Sequence, residues 1–314
     1  MKLLITGGAG FIGSHLAKYH IAKGDSVWIV DNLSTGSRSN LPPQARFDET
    51  NLLTFEKLPE AIAWADAIYH MAAIVGQKVV LKTPTKVLFE NSEGCRRVLE
   101  TVSTVNPKAR VLIASSSEVY NYTPQATFRE TDALIFPSGK CHQVTYPLSK
   151  FVDETTALSY FYERNTHAVI ARLFNTTGPF QAGRYGMVVP TLIRQAQEGV
   201  PLTIYGDGRQ TRSFCSIHDM VRFLEALLMH PKSSGEIYNV GNNEEISILS
   251  LAEKILTLSH SSSTITFIPY EKAYGMPFTD IPRRCPDLTK FNSLGLKHQY
   301  SLDDVLLEMI SMKN

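Results

Sequence analysis

The 314-residue chain is long enough for one large domain or two modest ones. Its 31 basic and 30 acidic residues leave a net charge of +1, which removes any electrostatic case for nucleic acid or an anionic membrane as partner. Four widely spaced cysteines (Cys95, Cys141, Cys215, Cys285) show no Cys-x-x-Cys and no metal-ligand spacing, and the chain opens on a strand rather than an apolar leader. Reduced thiols, no metal and a cytoplasmic location are the expectations.

In chain order, Lys2 to Thr6 form a short apolar run that ends in Gly7-Gly8-Ala9-Gly10-Phe11-Ile12-Gly13. A helical stretch from Ser14 to Lys23 follows, and then a second strand from Ser26 to Val30 that ends at Asp31. Strand, glycine turn, helix, strand and acid make the order that a dinucleotide requires. Small residues let the backbone approach a pyrophosphate at the amino end of the helix. Asp31 is placed to accept hydrogen bonds from both ribose hydroxyls and would repel a 2′-phosphate, which favours NAD over NADP.

Further strands are predicted at Ala67 to His70 and Arg110 to Ala114, with helical patterns between them. The alternation predicts an α/β fold: a doubly wound parallel sheet covered on both faces. Ligands in such sheets bind at the carboxyl ends of the strands, where the glycine turn, Asp31, His70 to Ala73 and Ser115 to Glu118 all fall. His70 reads as a packed strand-end histidine rather than a proton relay. The small Ala72-Ala73 pair suits backbone passing close to a cofactor.

Tyr146 and Lys150 then stand four residues apart, on one face of a predicted helix. A phenol titrates near 10 in water, so a tyrosine base needs a nearby cation, and Lys150 supplies one. The hydroxyl of Ser116 or Ser117 is placed to share the hydrogen bond to a substrate hydroxyl. Beyond about Asn175 the alternation becomes irregular. This suggests a Rossmann-type dinucleotide domain over residues 1–174 and a smaller mixed α/β substrate-binding lobe over residues 175–314, with the chain free to cross back.

Thr6 to Gly13, Asp31 to Gly36, His70 to Ala73, Ser115 to Tyr120 and the Tyr146/Lys150 pair occur in order. With them, the chain resembles the extended short-chain dehydrogenase/reductases, and among these the NAD-dependent nucleotide-sugar epimerases, dehydratases and decarboxylases. The likeness continues through Arg172 to Asn175, Ile204 to Gly208, Gln210 to Phe214 and Arg284 to Asp287. It implies cofactor contacts from Gly7, Gly10, Phe11, Ile12 and Gly13, then from Asp31, Asn32, Ser34, Thr35 and Gly36. Asn51 and Leu52 would meet the adenine, where many relatives carry Asp. Met71, Ala72, Ala73, Ser115, Tyr146 and Lys150 complete the cofactor set.

For the substrate the resemblance implies Asn175, Arg184, Val189, Tyr205, Arg212 and Arg284. Arg212 and Arg284 are candidates for a diphosphate clamp, because guanidinium forks pair with phosphate oxygens. Arg184 is a candidate for a sugar carboxylate. A homodimer paired through two sheet-flanking helices is also implied.

The chemistry implied is transient oxidation of the sugar at C4, with Tyr146 as base, Lys150 holding the phenolate and Ser116 or Ser117 orienting the oxygen. The 4-keto sugar can be reduced on its other face, lose a C6 carboxylate, or eliminate water. Ser117 cannot be the acid of an Asp-Glu dehydratase pair. Hydroxyl-x-Glu, as in Ser116-Ser117-Glu118, suits glucuronate decarboxylases and GDP-mannose dehydratases. The contexts around Arg184 and Phe267 to Gly275 resemble UDP-sugar 4-epimerases. The expectation is therefore a 4-epimerase acting on a UDP-hexose or UDP-hexuronate, with a UDP-glucuronate decarboxylase as the alternative. A GDP-mannose-type 4,6-dehydratase stands further off. An inactive NAD-binding sensor or scaffold would have no need of Tyr146 beside Lys150.

Overall fold

A computed structural model describes residues 1–137, 144–183, 187–274 and 281–312 of the chain. The first half alternates β1 (Lys2–Thr6), α1 (Phe11–Ala22), β2 (Ser26–Asp31), β3 (Arg46–Glu49), α2 (Leu58–Trp64) and β4 (Ala67–His70). It continues with α3 (Gln77–Lys82), α4 (Pro84–Val105), β5 (Arg110–Ser116), α5 (Thr145–Arg164) and β6 (Ala168–Leu173). Then come β7 (Thr176–Thr177), α6 (Val188–Gln197), β8 (Leu202–Tyr205), β9 (Thr211–Ser213), β10 (Cys215–Ser216), α7 (Ile217–Met229) and β11 (Ile237–Val240). The chain ends with β12 (Glu245–Ser247), α8 (Ile248–Leu258), β13 (Ile265–Ile268), α9 (Tyr270–Tyr274), β14 (Arg283–Arg284), α10 (Thr289–Asn292) and α11 (Leu302–Ser311).

Seven strands form the central sheet in the order β3-β2-β1-β4-β5-β6-β11, every neighbouring pair parallel. Strands covered on both faces must be apolar at successive positions, and they are. Leu3, Ile5, Val27 and Ile29 face one core with Leu16 of α1 and Phe223 and Leu224 of α7. Leu4, Trp28, Val30 and Ile68 face the other with Leu58 of α2, Leu99 of α4 and Ala157 of α5. The sequence runs outward in both directions from β1 and β4, so a crevice opens between them at the strands' carboxyl ends.

Residues 217–240 return from the second half to this sheet as α7 and β11. The rest of the lobe has its own core, with Leu192 and Ile193 of α6, Ile204 of β8, Leu251 and Ile255 of α8 and Leu306 of α11. Its β9 lies between antiparallel β12 and parallel β14, a register that sets Arg284 beside Arg212. Among the described residues no helix is long and apolar enough to cross a membrane.

One buried ion pair fixes α5 to the sheet. Arg172 of β6 donates from Nε to Glu154 Oε1 at 2.9 Å and from Nη2 to Oε2 at 2.8 Å, with the two residues 3% and 1% exposed. Ser115 of β5 donates to the same Glu154 Oε1 at 2.5 Å. Replacing Arg172 with Leu leaves a buried carboxylate without its cation, and urea unfolding is expected to show a loss of roughly 3–5 kcal/mol.

Candidate active site

The strands' carboxyl ends and the lobe above them enclose a cavity of ≈ 620 Å³. At its cofactor end two glycines are sterically obligatory. Gly7 has φ +73°, and a Cβ there would lie 2.6 Å from the Ala72 backbone nitrogen; a Cβ on Gly13 would lie 2.3 Å from the Gly7 carbonyl oxygen. Turn, helix and the segment after β4 are thus in backbone contact. Gly10 caps α1 without a side chain, so the first-turn amides have no side-chain cap among the described residues, and Phe11 and Ile12 line the cavity. An amino-terminal helix end lined this way suits a pyrophosphate.

Asp31 joins the turn to the loop after β2. Its Oδ2 accepts from Ala9 N at 2.9 Å and its Oδ1 from Leu33 N at 2.8 Å, which leaves further lone pairs on both oxygens for ribose hydroxyls. Asn32, Ser34, Thr35, Asn51 and Leu52 line the same end, as do Met71, Ala72 and Ala73. Asn51 Oδ1 already accepts from Leu53 N at 2.9 Å, so an adenine amino group would share that acceptor. Gly36 is not among the lining residues, and a Cβ there would meet the Ala9 carbonyl carbon at 2.7 Å, so its smallness serves packing behind the turn.

His70 is buried, its Nδ1 2.8 Å from Thr6 Oγ1. Burial, followed by the Lys150 charge, pushes its pKa down to about 3, so it stays neutral through the working range.

At the reacting end, Tyr146 and Pro147 lie in the first turn of α5, where proline is tolerated. Ser116 Oγ accepts from Glu118 N at 3.2 Å, and the same hydroxyl acts to lower the Tyr146 pKa. Burial raises the Tyr146 pKa; Lys150 opposes this without cancelling it, and the Glu118 charge adds to the rise. Lys150 donates from Nζ to Asp153 Oδ2 at 3.0 Å. Burial works against its charge, but the Asp153 carboxylate and Tyr146 outweigh that and hold its pKa above the ordinary lysine value.

Arg284 places Nη1 3.6 Å from Glu118 Oε1, the carboxylate whose charge bears on Tyr146, and it lines the cavity together with Arg212. Its Nε is buried with no hydrogen-bond partner among the described residues. Arg212 sits beside it with Nη1 donating to the Thr211 carbonyl at 2.7 Å. Asn175, Val189 and Tyr205 line the same cavity, whereas Arg184 lies outside the described residues.

Sequence reasoning passed over Asp153, Glu154 and Asn91. The first two follow Tyr146 at seven and eight positions, on the same helical face as Lys150, and that spacing was the available signal. Asn91 Nδ2 donates to Ser149 Oγ at 3.1 Å, and its Oδ1 accepts from Ile74 N at 2.7 Å, tying the cavity's wall to α5. Nothing local in the sequence marks that link.

The family model described as the NAD dependent epimerase/dehydratase family matches residues 3–241. The chain is 37% identical over 302 residues to a UDP-N-acetyl-alpha-D-glucosaminuronate decarboxylase of Bacillus cytotoxicus, covering 95% of this chain and 92% of that protein. It is 33% identical over 313 residues to UDP-glucuronic acid decarboxylase 1 of Arabidopsis thaliana, covering 99% of this chain and 69% of the relative. Among solved structures, it is similar to the UDP-glucuronic acid 4-epimerase of Bacillus cereus, determined with UDP-glucuronic acid and NAD. The TM-score is 0.86 at 29% identity, covering 99% and 98% of the two chains.

Replacing Asp31 with Ser removes a charged acceptor worth about 1.5–3 kcal/mol, so NAD affinity is expected to fall at least about tenfold. Fluorescence titration with NAD and NADP checks this, and NADP should lose less or gain.

Proposed function

The chain belongs to the NAD dependent epimerase/dehydratase family and is an NAD-dependent nucleotide-sugar enzyme; from that premise we propose that it is a UDP-hexuronate decarboxylase, a lyase. The expected 4-epimerase gives way to the alternative, because the two sequence relatives above, each matched over more than nine tenths of this chain, are decarboxylases. The observation that carries the reading is Arg284 against Glu118 at the Tyr146 end of the cavity. A uronate brings its own carboxylate to that end, and an arginine with a buried, unpartnered Nε is suited to receive it.

Bound NAD supplies a hydride acceptor, and later a hydride donor, at the sugar C4. Gly7, Gly13 and the first turn of α1 would hold its pyrophosphate, and Asp31 its ribose. Tyr146 as phenolate removes the C4 hydroxyl proton, stabilised by Lys150 and steered by the Ser116 hydroxyl. The resulting ketone is β to the C6 carboxylate. The C5–C6 bond then breaks, carbon dioxide leaves, and its electron pair is delocalised onto the ketone oxygen. Arg284 holds the carboxylate in line before it departs. C5 takes up a proton from water, which Glu118 as a carboxylate is placed to orient. Tyr146 returns its proton as C4 is reduced again, so the cycle is redox-neutral.

The reading includes a homodimer and a cytoplasmic location. Phe89 of α4 and Tyr162 of α5, 65% and 77% exposed on two sheet-flanking helices, support the pairing.

Incubation with UDP-glucuronate and UDP-N-acetylglucosaminuronate, with products read by mass and proton NMR, tests the activity. Loss of carbon dioxide is expected; an unchanged mass with inverted C4 configuration would make the enzyme an epimerase. Tyr146→Phe should keep nucleotide-sugar affinity while kcat falls roughly 10²–10⁴-fold.

A further inference from the structure

Resting on the decarboxylase reading, we propose that Asp153 is a positioning residue for this chemistry: it is the fixed counter-charge that keeps Lys150 an ammonium beside Tyr146. The two side chains stand at i and i+3 on α5, joined at 3.0 Å, and are 3% and 0% exposed. The Asp153 Oδ1 has no hydrogen-bond partner among the described residues, and the Cys95 thiol donates at 3.8 Å to the Asp153 backbone carbonyl.

The neighbouring titratable groups leave this task to Asp153. From α4, Cys95 is buried and its thiol is held protonated by that burial. From β4, His70 is neutral. Glu154, next on α5, is bound through both oxygens by Arg172 of β6. Glu118, on the turn after β5, faces Arg284 of β14. Asp153 is therefore the carboxylate in direct contact with Lys150.

The consequence follows from coupled titration. Tyr146 and Lys150 lose protons as a pair, and a nearby negative charge raises the pH at which the first one leaves. Asp153 lies against Lys150, so it also favours the phenolate–ammonium form over the isoelectronic phenol–amine form, and the former is the one that works as a base. Removing the charge therefore lowers the pair's first step and depletes its useful form at the same time. A merely structural role does the second without the first.

The test compares kcat against pH for wild type and Asp153→Asn with the hexuronate that wild type turns over. The acid limb is expected to move down by about one pH unit, with the plateau falling severalfold and KM nearly unchanged. A lower plateau with the limb in place would overturn the proposal, as would a wild-type profile. Asp153→Glu, which keeps the charge, should bring the limb back towards wild type. A second measurement needs neither a variant nor turnover: labelled-lysine NMR of the wild-type chain. Lys150 should remain an ammonium beyond the ordinary lysine range, and a neutral amine below it would overturn the proposal. If wild type acts on neither hexuronate the decarboxylase reading falls, while the same NMR measurement on Asp153→Asn still decides the role of Asp153: Lys150 should lose its proton at lower pH there than in wild type, and an unchanged Lys150 would overturn the proposal.

Discussion

The reacting groups depend on one buried contact, the two-pronged ion pair between Glu154 of α5 and Arg172 of β6. Removing two charges from water is costly, and the cost is offset only when the geometry satisfies nearly every lone pair. Here the Ser115 hydroxyl and the Glu130 carbonyl take further bonding positions, the latter at 3.3 Å from Arg172 Nη1. A pair so fully engaged tolerates neither rotation nor sliding of α5. Tyr146 and Lys150, two turns and one turn before Glu154 on the same face, inherit that placement. Ser116, directly after Ser115 on β5, inherits it too, and so the proposed proton-moving trio is a by-product of how a helix is pinned to a sheet.

The two ends of the cavity are built on different principles. At the glycine turn the wall is backbone: Gly7 against Ala72, Gly13 against the Gly7 carbonyl, and Asp31 holding two amides. Such a wall is rigid because its glycine contacts leave no room for a Cβ. Opposite Tyr146 the wall consists of charged side chains from distant parts of the chain, Glu118 after β5 and Arg284 and Arg212 from paired strands of the lobe. Within a shared fold, that charged wall is where reaction type can vary, since a change of one side chain there leaves the backbone intact.

Legibility in the sequence followed locality. The glycine turn, Asp31 and the Tyr146/Lys150 pair are set by spacing within a single strand–helix unit, and the apolar strands of a doubly covered sheet declare themselves by composition. Gly36 lies within the same stretch, but its reason for being small is contact with Ala9, which spacing does not reveal. Arg284 is remote in sequence from both Arg212 and Glu118, and it meets them through the β9–β14 pairing and the packing of the lobe, which no local spacing marks. Asp153 and Glu154 were hidden differently. Acidic residues on a helix ordinarily signal its wet face, and only the packing of α5 against α4, β5 and β6 shows that these two point inward.

The last strand of the central sheet, β11, has a consequence for how the protein is made. It pairs with β6, but positions 174 to 236 are synthesised between the two. Until β11 emerges, the nascent chain presents the edge of β6 with its amides and carbonyls unpaired, and the sheet face that α7 will cover lies open. Exposed strand edges recruit other strands, and slow, long-range parallel pairing prolongs that interval. The excursion that builds the lobe therefore exposes the growing polypeptide to aggregation on the ribosome, and it makes the first half a poor candidate for expression by itself.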